Sequence, residues 1–447
     1  MMKRVNLLEG NILTSLAKLA FPIMGMSLIQ MAYNLTDMIW IGKLGAGAVA
    51  SVGTGGLILW FCMGIHMISQ LGGQVLVAQN LGAGNPQKAG AFAHAAIFIS
   101  LSLTIILGLV FSTSTTPIVS FFKLNDPNVV ANAEIYIRIT GSFIMFQLLS
   151  KLFTTLITTT GNSKTPFLAT SLGLIFNMIL DPILIFGYCG FPELGVKGAA
   201  IATVCAQIIV FSSLLLYISR DSHLFCHINF KSIPDFKLCK QIIKLSFPVT
   251  IQSTLFPLFS MYISRLVAGF GDNAVAVQRV GSQIESISWM TSEGFAVALN
   301  SFVAQNRGAG NLKRAKEGYF TSFKLLSAWG LLSSAILIFA ARPIFSVFLQ
   351  EETVLQMGQE YLIILGISQL FMCWEIISNN AMNAFGKTTL PSTISIIFTG
   401  IRIPLAILLS ATALGLCGIW WSITISSIIK GILLLTTICI YMKKTIK

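Results

Sequence analysis

The chain has 447 residues, of which 55% are hydrophobic and only 10% charged, with a mean hydropathy of +0.81. Soluble domains carry about 25% charged residues, so this composition cannot clothe a globular surface and excludes a soluble enzyme. The net charge is +13, but the basic residues are spread over many short segments. That pattern belongs to the loops of a membrane protein, not to a nucleic-acid surface.

The opening MMKRVNLLEGN is short, basic and polar, and no small-residue cleavage site follows it. No removable signal peptide is expected, and the first apolar run, from Leu16, reads as a retained helix. A membrane helix needs about 20 apolar residues. Twelve candidate runs follow in order, near 15–40, 46–79, 90–112, 129–160, 165–188, 195–219, 241–268, 274–305, 318–340, 354–385, 390–411 and 415–441. The expected fold is an all-α integral membrane protein of twelve spans. The eight cysteines form no CxxC pair and read as small core residues. His223-x-x-Cys226-His227 with Cys239 has only loose metal-ligand spacing, so no metal is expected. Gly386-Lys387-Thr388 looks like the end of a nucleotide-binding loop, but the glycine required five residues earlier is Ala381. ATP is therefore not expected as the energy source, and no cofactor is.

Alternate loops differ in charge. Lys88, Lys164, Arg220 to Lys244, Arg307, Lys313, Arg314, Lys316 and Lys387 form one set, joined by Lys3, Arg4, Lys443, Lys444 and Lys447 at the termini. The opposite set holds Lys43, Lys123, Lys197 and Arg342, diluted by Asp126, Glu193, Asp272, Glu351 and Glu352. Cytoplasmic loops collect Lys and Arg, so both termini are expected in the cytoplasm of a multi-pass cell-membrane protein.

The chain repeats itself. Phe21-Pro22 recurs as Phe247-Pro248, Gly45 as Gly271, and Val77-Ala78-Gln79-Asn80 as Val303-Ala304-Gln305-Asn306, all at a spacing of 226. Further along, Gly161 and Pro166 match Gly386 and Pro391 at 225, and Gly195 and Gly198 match Gly415 and Gly418 at 220. Two copies of a six-helix unit are expected: residues 1–220, a cytoplasmic linker at 221–240, and residues 241–447. Six is even, so both copies enter the membrane from the same side. Their relation is then a parallel repeat about the membrane normal, able to rock around a central cavity.

An ionised carboxylate at mid-bilayer costs roughly 2.5–3.5 kcal/mol or more, so each one found there is a functional candidate. Asp37, Asp181, Glu285, Glu293 and Glu375 fall inside apolar runs. Asn177 and Asp181 are four apart and share a helix face, with Pro182 removing a backbone donor beside them. Carboxylate, amide and carbonyl oxygens suit Na⁺, and a carboxylate in such a place can instead carry a proton. Asn34 shares the face of Asp37, Pro22 is placed to kink that helix, and Thr203 can supply a further oxygen. In the second copy the counterparts of Asp37 and Asp181 are Ile263 and Ala406. Glu285, with Gln278 on its face, Glu293 and Glu375 then mark a possible cargo or second ion site. Lys151, in the fourth run, either pairs with Asp37 or Asp181 or snorkels. The mid-membrane charges read as mostly acidic, which disfavours an anionic cargo.

These residues resemble the multidrug and toxic compound extrusion (MATE) family over essentially the whole chain. The matching features are the doubled Gln79-Asn80-x-Gly82-Ala83-Gly84 and Gln305-Asn306-x-Gly308-Ala309-Gly310, together with Asp37 ahead of Gly42-Lys43-Leu44-Gly45. Gly161-Asn162-x-Lys164-Thr165-Pro166, Asn177-x-x-x-Asp181-Pro182, Gly195-Val196-x-Gly198-Ala199-Ala200 and Arg279 with Glu285-Ser286 complete the set. The resemblance implies a polyspecific efflux antiporter that exchanges organic cations or other lipophilic compounds for Na⁺ or H⁺, with a V-shaped cavity opening alternately to each side. Similarity to the DNA-damage-inducible (DinF-like) branch implies a cation-coupling site of Asp37, Asn177, Asp181 and Thr203, with Pro22 as the hinge of the first helix. Two departures stand out: Gln252 is the nearest polar residue where a seventh-helix glutamate of the NorM-like branch is sought, and Lys151 is unexpected. The expected partners are the lipid bilayer and small lipophilic or cationic molecules, with no nucleic acid, and the expected state is a monomer. A lipid-linked oligosaccharide flippase of the same superfamily is the alternative. An intramembrane enzyme using the aspartates would not need the doubled pattern, so no enzyme is expected.

Overall fold

The computed structural model describes residues 4–122, 124, 126–228, 232–348 and 351–445. Lys3, Lys123 and Lys447, used above in reading loop charge, lie outside the described residues. Among the described residues the long elements are all helices. They are α1 Ile12–Gly42, α2 Ala46–Gly82, α3 Pro86–Thr113, α4 Pro127–Ser142 continued by Ile144–Thr159, α5 Lys164–Phe186 and α6 Gly195–Ser219. Next come α7 Phe236–Ala268, α8 Asp272–Gly308, α9 Leu312–Phe339, α10 Glu352–Ala384, α11 Thr389–Gly400 continued by Arg402–Ser410, and α12 Gly415–Thr445.

Ten of these are long and apolar enough to cross a bilayer, and α4, bent by 47° at Phe143, makes an eleventh. Only α8 falls short, because it carries Gln278, Arg279, Glu285 and Glu293 along its length. Large apolar side chains face outward in the middle of the spans. Ile106 and Leu109 on α3, Leu331 on α9 and Leu408 on α11 are each at least 57% exposed. In water such a surface would aggregate; in a bilayer it is the required face, since only structures that satisfy their backbone internally can lie against lipid.

The repeat is visible in the backbone. Gly45 and Gly271 open α2 and α8 at φ of 104° and 101°, a left-handed region open to glycine without a steric penalty. The next loop repeats as well: Asn85 accepts from the Lys88 N–H at the start of α3, and Asn311 from the Arg314 N–H at the start of α9. Packing repeats too. A Cβ on Gly55 would fall 2.5 Å from the Tyr136 ring, and one on Gly281 would fall 2.3 Å from the Tyr361 ring. Small residues let helices approach closely where lipid offers no hydrophobic driving force between them.

The chain packs as two compact units, Met1–Val5 with Gly25–Thr250 and Asn6–Met24 with Ile251–Lys447. The boundaries fall within α1 and α7, two residues beyond Pro22 and Pro248, at equivalent points of the repeat. In the first unit the largest core joins Phe92 of α3, Leu152 and Leu156 of α4 and Leu214 of α6. In the second, Tyr361 and Trp420 meet edge to face at 5.1 Å within a core that includes Ile284, Leu365 and Phe345.

The stretch after α6 was expected as a polar join, yet Leu224 and Phe225 are buried in the first unit's core. Asp221 holds them there. Its Oδ2 accepts from the backbone N–H groups of Leu224 at 2.8 Å, Phe225 at 3.0 Å and His223 at 3.2 Å, and its Oδ1 pairs with Arg4. Burial works against the charge, but these donors and Arg4 outweigh it and hold the Asp221 carboxyl below the usual carboxylate value. Asp221→Ala orphans three N–H groups and is expected to lower stability by about 2 kcal/mol. The charge-linked part of that loss is complete above the ordinary carboxylate pKa of about 3.9 and fades as pH falls through the depressed value. Unfolding of wild type and variant across acidic pH measures this; a gap that widens toward low pH contradicts it.

Candidate functional site

In the first unit, four helices bring polar groups together. Tyr33 and Asp37 are four apart on α1 and so share a face; α4 supplies Tyr136, α5 Asn177 and Asp181, and α6 Thr203. Asn177 and Asp181 have no exposed surface. Asn177 Nδ2 donates to Asp181 Oδ1 at 3.3 Å, and Asp37 lies close enough for its charge to act on Asp181. The Thr203 hydroxyl donates to the Ala199 carbonyl at 3.0 Å. The phenols of Tyr33 and Tyr136 lie near it, within the field of both aspartates.

Asn177 and Thr203 have their donors committed, and acceptors are left over. Asp37 Oδ1, Asn177 Oδ1 and Asp181 Oδ2 are buried without a hydrogen-bond partner among the described residues. A buried oxygen with no donor is costly, and an ionised one more so. Three together form a site for something positive. The donor set is all oxygen, which fits Na⁺ as well as a proton and is unsuited to soft metals.

Asp37, Asn177, Asp181 and Thr203 are thus gathered in one place. Asn34 makes a different contact: its Oδ1 accepts from Gln30 Nε2 at 3.2 Å, and the residue is exposed. Pro22 lies inside α1, which continues unbroken past it. Lys151 makes no ion pair with either aspartate; among the described residues it has no carboxylate partner, and its backbone carbonyl accepts from Thr155. Tyr33 and Tyr136 escaped the sequence reading. Tyr33 was visible as the residue four before Asp37, and Tyr136 as the partner of Tyr361 in the repeat.

The second unit holds a separate polar network. Gln369 Nε2 donates to Glu285 Oε1 at 3.1 Å. Lys430 Nζ pairs with Glu375 Oε1 at 2.8 Å, with side-chain exposures of 4% and 14%, and lies 3.4 Å from Thr399 Oγ1. Arg402 donates from Nε to Ser426 at 2.6 Å and from Nη2 to Ser427 at 2.9 Å, within the field of both Glu285 and Glu375. Glu293 lies near Asn380 and within the field of Glu375, while Asn380 Nδ2 donates to the Ile376 carbonyl at 3.1 Å. Gln278 stands apart from the acids, accepting from Trp420 Nε1 at 3.3 Å.

The view that mid-membrane charge is mostly acidic is therefore corrected. Arg402 and Lys430 set two cations among the three acids of this unit. At the repeat spacing of 225, Arg402 is the counterpart of Asn177 and Ala406 that of Asp181, so the two copies place opposite chemistry at the same point of the scaffold. Removing one member of a buried pair leaves the other charge stranded. Glu375→Ala is expected to cost about 3–5 kcal/mol, while Glu375→Gln with Lys430→Met recovers most of it. Thermal unfolding in detergent checks this, and a double variant no better than the single would contradict it.

Comparison with known proteins agrees with this architecture. The MatE family model matches residues 22–183 and again 248–408, one match per copy of the repeat. The probable multidrug resistance protein NorM of Thermotoga maritima is 27% identical over 91% of this chain and 87% of its own length. Probable multidrug resistance protein YoeA of Bacillus subtilis is 28% identical over 91% and 89%, and the FAD transporter of Shewanella oneidensis 25% identical over 97% and 95%. Among solved structures, a MOP superfamily transporter from Pyrococcus furiosus superposes with a TM-score of 0.89 at 22% identity, covering 100% of this chain and 99% of its own. The outward-facing conformation of a multidrug resistance MATE family transporter gives 0.90 at 21% identity over 99% of both. The chain belongs to the MatE family of multi-pass membrane transporters.

Proposed function

We propose that this transporter is a secondary antiporter that exports lipophilic or cationic small molecules in exchange for H⁺ or Na⁺, taken up at Asp37, Asn177, Asp181 and Thr203. The observation that carries this reading is the set of three buried oxygens on Asp37, Asn177 and Asp181 that lack a donor. Two carboxylates within each other's field in a low-dielectric setting repel. A proton or a sodium ion relieves that repulsion and changes what α1 prefers to pack against. Differential affinity of cargo and ion for two states is the condition for one to drive the other. Pro22 is the hinge through which α1 responds, and the two sequence copies, 1–220 and 241–447, are the halves that move. The basic loop set, with both termini, faces the cytoplasm.

A second reading of the cargo, one bearing a carboxylate or phosphate, is favoured by Arg402, whose guanidinium, among the described residues, meets only serine hydroxyls at hydrogen-bond distance. The name of the Shewanella relative points the same way. Transport by purified protein in liposomes tests both readings, with pH and Na⁺ gradients imposed separately and a cationic dye compared with an anionic one. Asp37→Asn and Asp181→Asn are each expected to lower gradient-driven transport by at least about a hundredfold, as loss of a coupling group does, while the protein stays folded. Normal gradient-driven transport by both variants removes the assignment. Loss with Arg402→Gln of the anionic dye alone selects the second reading of the cargo.

A further inference from the structure

The Gly386-Lys387-Thr388 motif, set aside above as a nucleotide loop, lines a cavity of about 590 Å³ in the second unit. Its other walls are Thr389 and Leu390 at the start of α11 and Thr437, Tyr441 and Lys444 at the end of α12. Lys387 and Lys444 have no carboxylate partner among the described residues. Thr388 is 4% exposed, its hydroxyl does not cap its own helix, and no partner for that hydroxyl occurs among the described residues. Arg307 lies beside Tyr441, and its Nη1 is buried without a hydrogen-bond partner. Two lysines, one unpartnered hydroxyl and the opening of a twelve-residue helical segment therefore line one hollow with no acid on its wall, and Arg307 stands behind Tyr441.

The first unit shows what such a place looks like when it is closed. At the repeat spacings, Gly386 corresponds to Gly161, Thr437 to Tyr217, Tyr441 to Asp221 and Lys444 to Leu224. There the chain fills its own site. Val5 N donates to the Gly161 carbonyl at 3.0 Å, Arg4 pairs with Asp221, and Asn162 donates to the Tyr217 hydroxyl at 3.0 Å. An internal arginine meets an internal carboxylate in the first unit. In the second the carboxylate is replaced by Tyr441, and the surrounding charges are all positive.

We propose that this cavity binds a phosphate oxyanion, of an anionic phospholipid headgroup or of free phosphate. Helix-start N–H groups and the Thr388 hydroxyl supply directional donors, and Lys387 and Lys444 supply charge. A lysine footprint on the wild-type protein tests the proposal without any variant. The protein in phosphatidylcholine nanodiscs is treated with an acetylating reagent, and modification of Lys387 and Lys444 is compared with that of Lys316 and Lys43 by mass spectrometry. Adding phosphatidylglycerol to the nanodisc, or inorganic phosphate to the buffer, is expected to slow modification of Lys387 and Lys444 by about tenfold, as two lysines engaged with an anion imply. Protection by phosphatidylglycerol alone identifies a headgroup, and protection by inorganic phosphate in phosphatidylcholine identifies a soluble ligand. Thr388→Val is expected to reduce the protection several-fold. No protection in either arm, or equal protection of Lys316, overturns the proposal.

Discussion

A carboxylate removed from water must be met by something positive, and in this protein that constraint is answered in two ways on one scaffold. The second unit supplies the answer from its own chain: Lys430 meets Glu375, Arg402 stands within the field of Glu285 and Glu375, and Gln369 donates to Glu285. The first unit does not. There Asp37 Oδ1, Asn177 Oδ1 and Asp181 Oδ2 have no donor among the described residues. An internally paired network resists change, because breaking it strands a charge. Under the proposed function, a cation entering the first-unit site changes its energy with occupancy, which is what a transport cycle requires.

The scaffold beneath both is the same. Gly45 and Gly271 turn the chain alike, Asn85 and Asn311 cap alike, and Gly55 and Gly281 admit Tyr136 and Tyr361 alike. Close packing across a glycine cannot drift without a clash, so these positions hold the geometry while the polar positions between them diverge. Asn177 against Arg402 and Asp181 against Ala406 are that divergence at its sharpest. It also reaches the ends of the helices. Asp221 with Arg4 pins one corner, and Lys444 and Lys387 line the equivalent hollow.

Much of this was legible before any coordinates. Apolar run length set the helices, since a bilayer demands a fixed span and internal backbone hydrogen bonds, and the glycine and proline spacings exposed the repeat. Asp37, Asn177, Asp181, Glu285, Glu293 and Glu375 stood out because a carboxylate or carboxamide in an apolar run is expensive to keep. Arg402 and Lys430 escaped notice although they lie in the last two apolar runs. A cation there signals a partner, and which carboxylate it meets depends on helix rotation.

Periodicity and charge therefore determined the membrane class, the helix order, the twofold repeat and the acids of interest, because these follow from what the bilayer permits along one dimension. Tertiary structure alone decided which oxygens are left without donors. It brought Tyr33, Tyr136 and Thr203 beside the aspartates, turned Asn34 toward Gln30, kept Lys151 from both aspartates and tied Lys430 to Glu375. Hydrogen bonds and ion pairs act over a few ångströms between residues far apart in the chain, and only the packed helices bring those residues within that range.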